Sequence, residues 1–336
     1  MLRFIIRRLL ITIPTILIII TLTWGLIRLA PGNFYSGEKR IPPAIEKNIR
    51  AKYGLDKPWY VQYGRVMVGI FGFHLVQQKD ETGKGITDAD GRPVMKYEWH
   101  PYPDFGDSLT YPGQSVNQIL GRALPVSATL GLLAYILALI VGLIAGTLAA
   151  LKQNSKLDYA SMALAMLGIS VPNFVIGPLL VLLFSLTLYW LPPARWGGFP
   201  SWNLVMPVIT LSAIYMAYIA RLTRSGMLEV LRADYVRTAR AKGLSERQVV
   251  FRHVMRGGIL PVVSFTGPVL AFLVTGTVVV EQIFALPGLG NYFLNANLSR
   301  DEPLIIGIVA FLSILILVFN LLVDIAYAYI DPRIRY

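Results

Sequence analysis

Runs of about twenty apolar residues recur along this chain, and they constrain its fold more than any other feature. The first, residues 9–29, is 21 residues long. At 1.5 Å per residue it makes a helix of about 31 Å, enough to cross the roughly 30 Å hydrocarbon layer of a bilayer. Arg3, Arg7 and Arg8 precede it, and the exit Arg28-Leu29-Ala30-Pro31-Gly32 lacks the small-residue cleavage site of a secretory signal. A retained span with its N-terminus inside is therefore expected. Only 15% of the 336 residues are charged and mean hydropathy is +0.57, whereas a soluble domain carries about a quarter charged residues. An all-α polytopic membrane protein is the expected class.

Five further spans are expected. The second covers about 127–151, where Gly142 and Gly146 form a GxxxG that admits a neighbouring helix closely. The third lies within 160–191 and is interrupted by Pro172 and Pro178, so a bend near Pro172 and Asn173 either lines a pathway and flexes or is a static kink. The fourth, 204–220, continues as helix past Arg221 and Arg224 to Leu231. The fifth, 259–280, has a weak point at Gly267-Pro268 and a small-residue patch, Thr275-Gly276-Thr277, whose hydroxyls can bond to a neighbouring helix. Glu281 follows, then a turn at Pro287-Gly288. The sixth, 304–330, carries Asn320 and Asp324. A carboxylate inside a span is costly, and Asp324 reads better as an ion pair or hydrogen bond with nearby basic residues than as a proton-coupling site.

The first span is followed by a long polar stretch, 31–122, with nothing apolar enough to cross a membrane. Pro42-Pro43 opens a helical pattern with an Ile45/Ile49 stripe that stops at Gly54. A second starts after Asp56 and Pro58, with Trp59, Tyr60 and Tyr63 suited to a membrane interface. Residues 77–104 are rich in Gly, Asp, Lys and Pro and lack the helical patterns before them. Asp88-Ala-Asp90-Gly91 hints at a calcium loop, but aligning Gly91 to its sixth position puts Ile86 first and Tyr97 twelfth, so the carboxylate ligands are missing and a plain turn is expected.

One polar stretch interrupts the apolar second half. In 234–261 Asp234 can cap a short helix, Gly243 can end it in a left-handed turn, and Ser245 with Gln248 fits a capping box that restarts the chain as helix. Residues 221–258 hold nine Lys/Arg against three acidic residues. With an internal N-terminus and six spans, the pieces 1–8, 152–158, 221–258 and 331–336 face the cytoplasm and hold 16 Lys/Arg, while the short external loops hold only Arg195 and Arg300. Both termini are then cytoplasmic, the 31–122 stretch is an external loop, and the basic stretch can rest on the anionic inner leaflet of the lipid bilayer.

RTARAKGL followed by FRHVMRGGILPV resembles the cytoplasmic coupling loop of binding-protein-dependent ABC transporter permeases, in the peptide-transporter branch. Arg237, Thr238 and Ala239 stand at the family's Glu-Ala-Ala positions and Gly243 matches its glycine. Arg256 stands where its proline is expected, with Leu260-Pro261 five residues later. SVPNF at 170–174, EQIFALPGLG at 281–290 and the terminal DPRIRY are similar to signatures of the same branch. The resemblance covers about 1–75 and 105–336, so that 77–104 looks like an insertion relative to that branch, with a permease core at about 124–324, a C-terminal end at 325–336 and the coupling loop at 221–258. It implies a type I ABC importer permease in a bacterial inner membrane, most similar to the B-type permeases of oligopeptide importers. The dipeptide and nickel permeases share the motifs. It further implies a second homologous permease, two ABC ATPases carrying ATP and Mg, and an external peptide-binding protein that delivers the oligopeptide. The ATPase-coupling residues implied are Tyr235, Arg237, Thr238, Ala239, Arg240, Ala241, Lys242, Gly243 and Leu244. The candidate pathway or hinge residues, read from the breaks in the spans, are Pro172, Asn173, Gly267, Pro268 and Glu281.

Missing motifs bound the chemistry. No GxxxxGK[ST] occurs, and GKGIT near Lys84 lacks the upstream glycine, so no nucleotide site is expected on this chain. His74, His100 and His253 are far apart, there is no HExxH or GxSxG, and there are no cysteines. No catalytic residue, metal or cofactor is expected. The basic residues sit between apolar spans rather than on a soluble fold with aromatic platforms, which argues against nucleic acid. An ion-coupled secondary carrier and an intramembrane enzyme are the remaining alternatives.

Overall fold

A computed structural model of the chain describes residues 2–30, 54–78, 80, 86–87, 94–193, 195–274 and 276–330, without the side chains of 2–5, 7–9, 77, 324 and 326–330. In chain order the elements are α1 (Leu2–Leu29), α2 (Trp59–Ile70), β1 (Phe73–Gln77), β2 (Met95–Trp99), α3 (Val116–Leu151), α4 (Lys156–Ser170), α5 (Asn173–Leu180) and α6 (Val205–Leu231). They continue with α7 (Asp234–Ala241), α8 (Glu246–Gln248), α9 (Met255–Gly258), α10 (Leu260–Val274), α11 (Val278–Ile283), α12 (Leu289–Ser299) and α13 (Glu302–Ile330). Among the described residues five helices are long and apolar enough to cross a membrane, or six if α4 and the segment from Asn173 to Thr187 form one broken span. The expected helix after Pro43, the 88–91 turn, Thr275 and the 331–336 tail lie outside the described residues.

The chain divides into two units, the first comprising 1–14, 122–292 and 312–336 and the second 15–121 and 293–311. In the second unit Ile20 and Trp24 of α1 and Ile306 and Ala310 of α13 are buried, with Tyr63, Val66 and Met67 of α2 packed on them. Asp301 is fully buried and caps α13, accepting from Leu304 N at 3.2 Å, while its other oxygen accepts from Thr110 N at 2.8 Å and from the Ser108 hydroxyl. The antiparallel hairpin β1–β2, with Phe73 opposite Trp99 and Gln77 opposite Met95, adds, among the described residues, a small β element to an otherwise all-α chain, within the stretch after the first span. Met95-Lys-Tyr-Glu-Trp99 alternates apolar or aromatic with charged residues, the period of a strand. Gly72 starts the hairpin at φ +85°, and a Cβ there would stand 2.1 Å from the His100 carbonyl oxygen. Only glycine satisfies both demands.

In the first unit helices pack through small residues. A Cβ on Gly146 would stand 2.4 Å from the Ala220 carbonyl oxygen, and one on Gly142 would stand 2.7 Å from Ile219 Cβ, so the GxxxG seats α3 against α6 as expected. α3 begins eleven residues before the expected 127, because Ser115 and Gln118 form a reciprocal cap: Gln118 N donates to Ser115 Oγ at 3.2 Å and Ser115 N to Gln118 Oε1 at 3.3 Å. Leu130, Ala134 and Ala138 of α3 meet Leu211 and Ile219 of α6 and Val269 and Leu273 of α10 in the main apolar cluster.

Candidate functional site

The basic elbow is built from α7 outward. Ala233, not Asp234, is the N-cap of α7; it has extended backbone (ψ 145°) and no side-chain bond. Asp234 is therefore the first helical residue, where its charge suits the helix N-terminus, and its carboxylate lies 3.7 Å from Arg237. The C-terminus closes as expected. Gly243 has φ +79°, its N–H donates to Arg240 O at 2.9 Å, and Leu244 N donates back to Ala239 O at 3.4 Å. This pair of bonds is a Schellman closure. Ser245 and Gln248 form the expected capping box.

The two faces of α7 differ. Val236 and Ala239, three residues apart, are buried against Met227 of α6 and against Val249, Val250 and Val254. Complete burial of one valine side chain contributes about 1.5–3 kcal/mol. Tyr235, Arg237, Thr238, Arg240, Ala241, Lys242 and Gly243 are exposed, and Leu244 is half-buried. Arg240 reaches across the glycine corner to Glu246 with two hydrogen bonds, 2.8 and 3.2 Å, so the corner is closed by side chains as well as by backbone. Residues 249–254 form a π-helical turn between α8 and α9, which no sequence signal announced.

Other singled-out residues fall in separate places. Val171 is extended (ψ 117°), as a residue before proline is biased to be, and Pro172 with Asn173 starts α5 at 101° to α4. The interruption is far sharper than a kink. Gly267-Pro268 does not break the fifth span: α10 runs through it, and Gly267 serves as a contact, its Cβ position 2.7 Å from Val323 Cγ2 of α13. The break comes instead at Gly276, φ +91°. The Thr277 hydroxyl is buried with no partner among the described residues, so it does not bond to a neighbouring helix as expected.

Glu281 follows that break and is fully buried. One carboxylate oxygen accepts from the Ser127 hydroxyl at 2.7 Å, and the other accepts from Asn291 N at 3.0 Å. Ser127 Oγ in turn accepts from Leu289 N at 2.8 Å. A Cβ on Gly288 would stand 2.4–2.5 Å from the carboxyl group, so ALPGLG wraps the acid closely. Asn320 is half-buried in α13, and the Asp324 side chain lies outside the described residues.

One pair escaped the sequence reading. Asp158, almost fully buried in α4, accepts two hydrogen bonds from Arg224 of α6, at 2.6 and 2.7 Å. Arg224, counted above among the basic cytoplasmic residues, is thus neutralised within the fold. Its only sequence signal was an acid inside an otherwise basic short loop. Among the described residues no cluster of three or more His, Cys, Asp or Glu could hold a metal.

Residues 138–336 match the family described as binding-protein-dependent transport system inner membrane component, and residues 1–89 match its N-terminal companion. The chain is 41% identical over 336 residues, covering both chains completely, to the oligopeptide transport system permease protein OppB of Haemophilus influenzae. It is 42% identical, again over both full lengths, to the protein of that name from Salmonella typhimurium. It is 40% identical over 335 residues to the dipeptide transport system permease protein DppB of Bacillus subtilis, covering 100% of this chain and 98% of the relative. Among solved structures, an inward-facing MetNI methionine ABC transporter superposes with a TM-score of 0.54 at 16% identity, covering 63% of this chain and 96% of that one. At that identity the superposition establishes a shared fold.

Proposed function

The chain belongs to the binding-protein-dependent transport inner membrane component family, and from that premise we propose that it is the membrane-spanning permease subunit of an ATP-driven oligopeptide importer. The match to oligopeptide permeases over both full lengths supports this reading over the nickel, secondary-carrier and enzyme alternatives. As a permease of this kind it works with a partner permease and ATPase subunits. The finer assembly proposed is one homologous permease, two ATPases holding ATP and Mg, and an external peptide-binding protein.

The observation that carries the coupling role is the two-faced α7. Its buried face, Val236 and Ala239, is keyed into α6 and into the turn leading to α10, while Tyr235, Arg237, Thr238, Ala241 and Lys242 stay available to a partner. A short rigid helix held this way passes a push on its outer face to α6 and α10 as a rigid-body shift, the kind of motion that switches an importer between states. The 101° break at Pro172 and the break at Gly276 are the places where the transmembrane segments can absorb that shift. Bacterial inner-membrane residence with both termini cytoplasmic follows from the same reading and from the basic bias of the inner loops.

The experiment is reconstitution with candidate ATPases and the binding protein, followed by peptide-stimulated ATP hydrolysis and peptide uptake. Stimulation by oligopeptides is the expected result. Uptake that continues undiminished without any ATPase bound defeats the reading.

A further inference from the structure

The helical stretch between the elbow and the fifth span carries a feature that the coupling role does not use. Phe251, Arg252, His253, Met255, Arg256 and Ile259 line a shallow open cavity of about 690 Å³. Its chemistry is divided. Arg252 and Arg256 are four residues apart, and so in turn are Phe251, Met255 and Ile259, a helical spacing that gives a basic pair and an adjoining apolar stripe. Phe251 is 63% exposed although Val250 and Val254, its neighbours in the same turn, are buried in the core beneath α7. The helix has therefore already committed its inward face, and this stripe is a second apolar surface. Arg252 and Arg256 are both exposed and neither has a carboxylate partner among the described residues, whereas Arg224, Arg237 and Arg240 each have one.

Position supplies the rest. Leu260 begins a stretch, Leu260–Ile283, that is long and apolar enough to cross a bilayer. Arg256 stands four residues before it, about 6 Å along a helix, and the headgroup layer on each side of the hydrocarbon is roughly 5–8 Å deep. A guanidinium pair at headgroup depth with an apolar stripe running towards the hydrocarbon matches an amphiphile with a negative head.

We propose that the surface formed by Arg252, Arg256, Phe251, Met255 and Ile259 binds an anionic phospholipid, with the phosphate between the two arginines and an acyl chain along the stripe. Arginine suits a phosphate because its planar fork donates two parallel hydrogen bonds. The inference requires that Leu260–Ile283 crosses the membrane, but not that the cargo is a peptide.

The test uses the assembled transporter, delipidated in detergent, titrated with phosphatidylglycerol or phosphatidylcholine and read by native mass spectrometry. Wild type is expected to retain phosphatidylglycerol preferentially. The double variant Arg252→Gln/Arg256→Gln should bind it roughly thirtyfold more weakly, with phosphatidylcholine unchanged. Arg195→Gln, which removes one exposed positive charge outside the basic elbow, should leave both lipids unaffected. Arg252→Lys/Arg256→Lys keeps the charges and should retain phosphatidylglycerol. Unaltered phosphatidylglycerol binding in the Gln variant overturns the proposal, as does loss of it in an intact Lys variant. Loss of an ATPase subunit from the Gln variant with the lipid count unchanged assigns the surface to a protein partner and overturns it equally.

Discussion

Glu281 shows how one buried acid can hold several separate stretches of chain. Its carboxylate gathers the Ser127 hydroxyl from α3 and the Asn291 N–H from α12, and Ser127 gathers the Leu289 N–H. Truncating the acid leaves buried donors without acceptors, and each such loss costs about 1–3 kcal/mol. Glu281→Ala is expected to destabilise the protein by about 3 kcal/mol or more, seen as a lower thermal unfolding midpoint of the detergent-purified complex. Glu281→Gln keeps one acceptor oxygen and should cost less. Equal stability of both variants and wild type means the acid holds nothing together.

Among the elements, α7 and the α3–α6 pair make different demands on glycine. At Gly243 the demand is conformational: φ is +79° and no atom lies within 4 Å of where a Cβ would be. A side chain there costs about 1–2 kcal/mol through the left-handed backbone, and proline, locked near φ −65°, cannot adopt it at all. Gly243→Pro should therefore leave the protein inserted and assembled while uptake falls by about tenfold or more relative to ATP hydrolysis, the corner no longer transmitting rigid-body motion. Full transport by that variant removes the elbow from the mechanism. At Gly146 the demand is space, since a Cβ would meet the Ala220 carbonyl oxygen at 2.4 Å. Gly146→Leu should sharply reduce the yield of folded protein. Gly25, with nothing within 4 Å of its Cβ position, is the control: Gly25→Leu should be recovered near wild-type yield, both measured by gel filtration in detergent.

For the whole molecule the open question is orientation, and the absence of cysteine makes it directly measurable. Lys242 is exposed on the elbow, and Trp202 is 75% exposed just before α6, at the other end of that helix from the elbow. α6 is 27 residues long, about 40 Å, so its ends lie on opposite sides of a bilayer. With Lys242→Cys and Trp202→Cys as single-cysteine variants, a membrane-impermeant maleimide applied to intact cells should label position 202 only. Labelling of 242 from outside inverts the topology and leaves the elbow out of reach of any cytoplasmic ATPase.

The sequence by itself determined the spans and the elbow, because both are written in local chemistry. Apolar runs need only length to imply crossing helices, and Gly243 with Ser245 and Gln248 encodes a turn and a restart within six residues. The basic bias and the peptide-permease motifs were equally legible. Some misses were local signals passed over: Ser115 with Gln118 starts α3, and the alternation of residues 95–99 marks β2. Others had no local signal that pointed to the right residue. Gly267-Pro268 is the stronger helix breaker by sequence, yet Gly267 is a packing contact with Val323 and the helix breaks at Gly276. Which one yields depends on what stands opposite, namely a neighbouring helix at Gly267 and the buried Glu281 carboxylate 2.5 Å from the Cβ position at Gly276. Asp158 and Arg224 are 66 residues apart and meet only because α4 packs along α6. Only the tertiary structure decided which charges are neutralised and where the helices break. Both are set by long-range contacts, and local spacing carries no record of them.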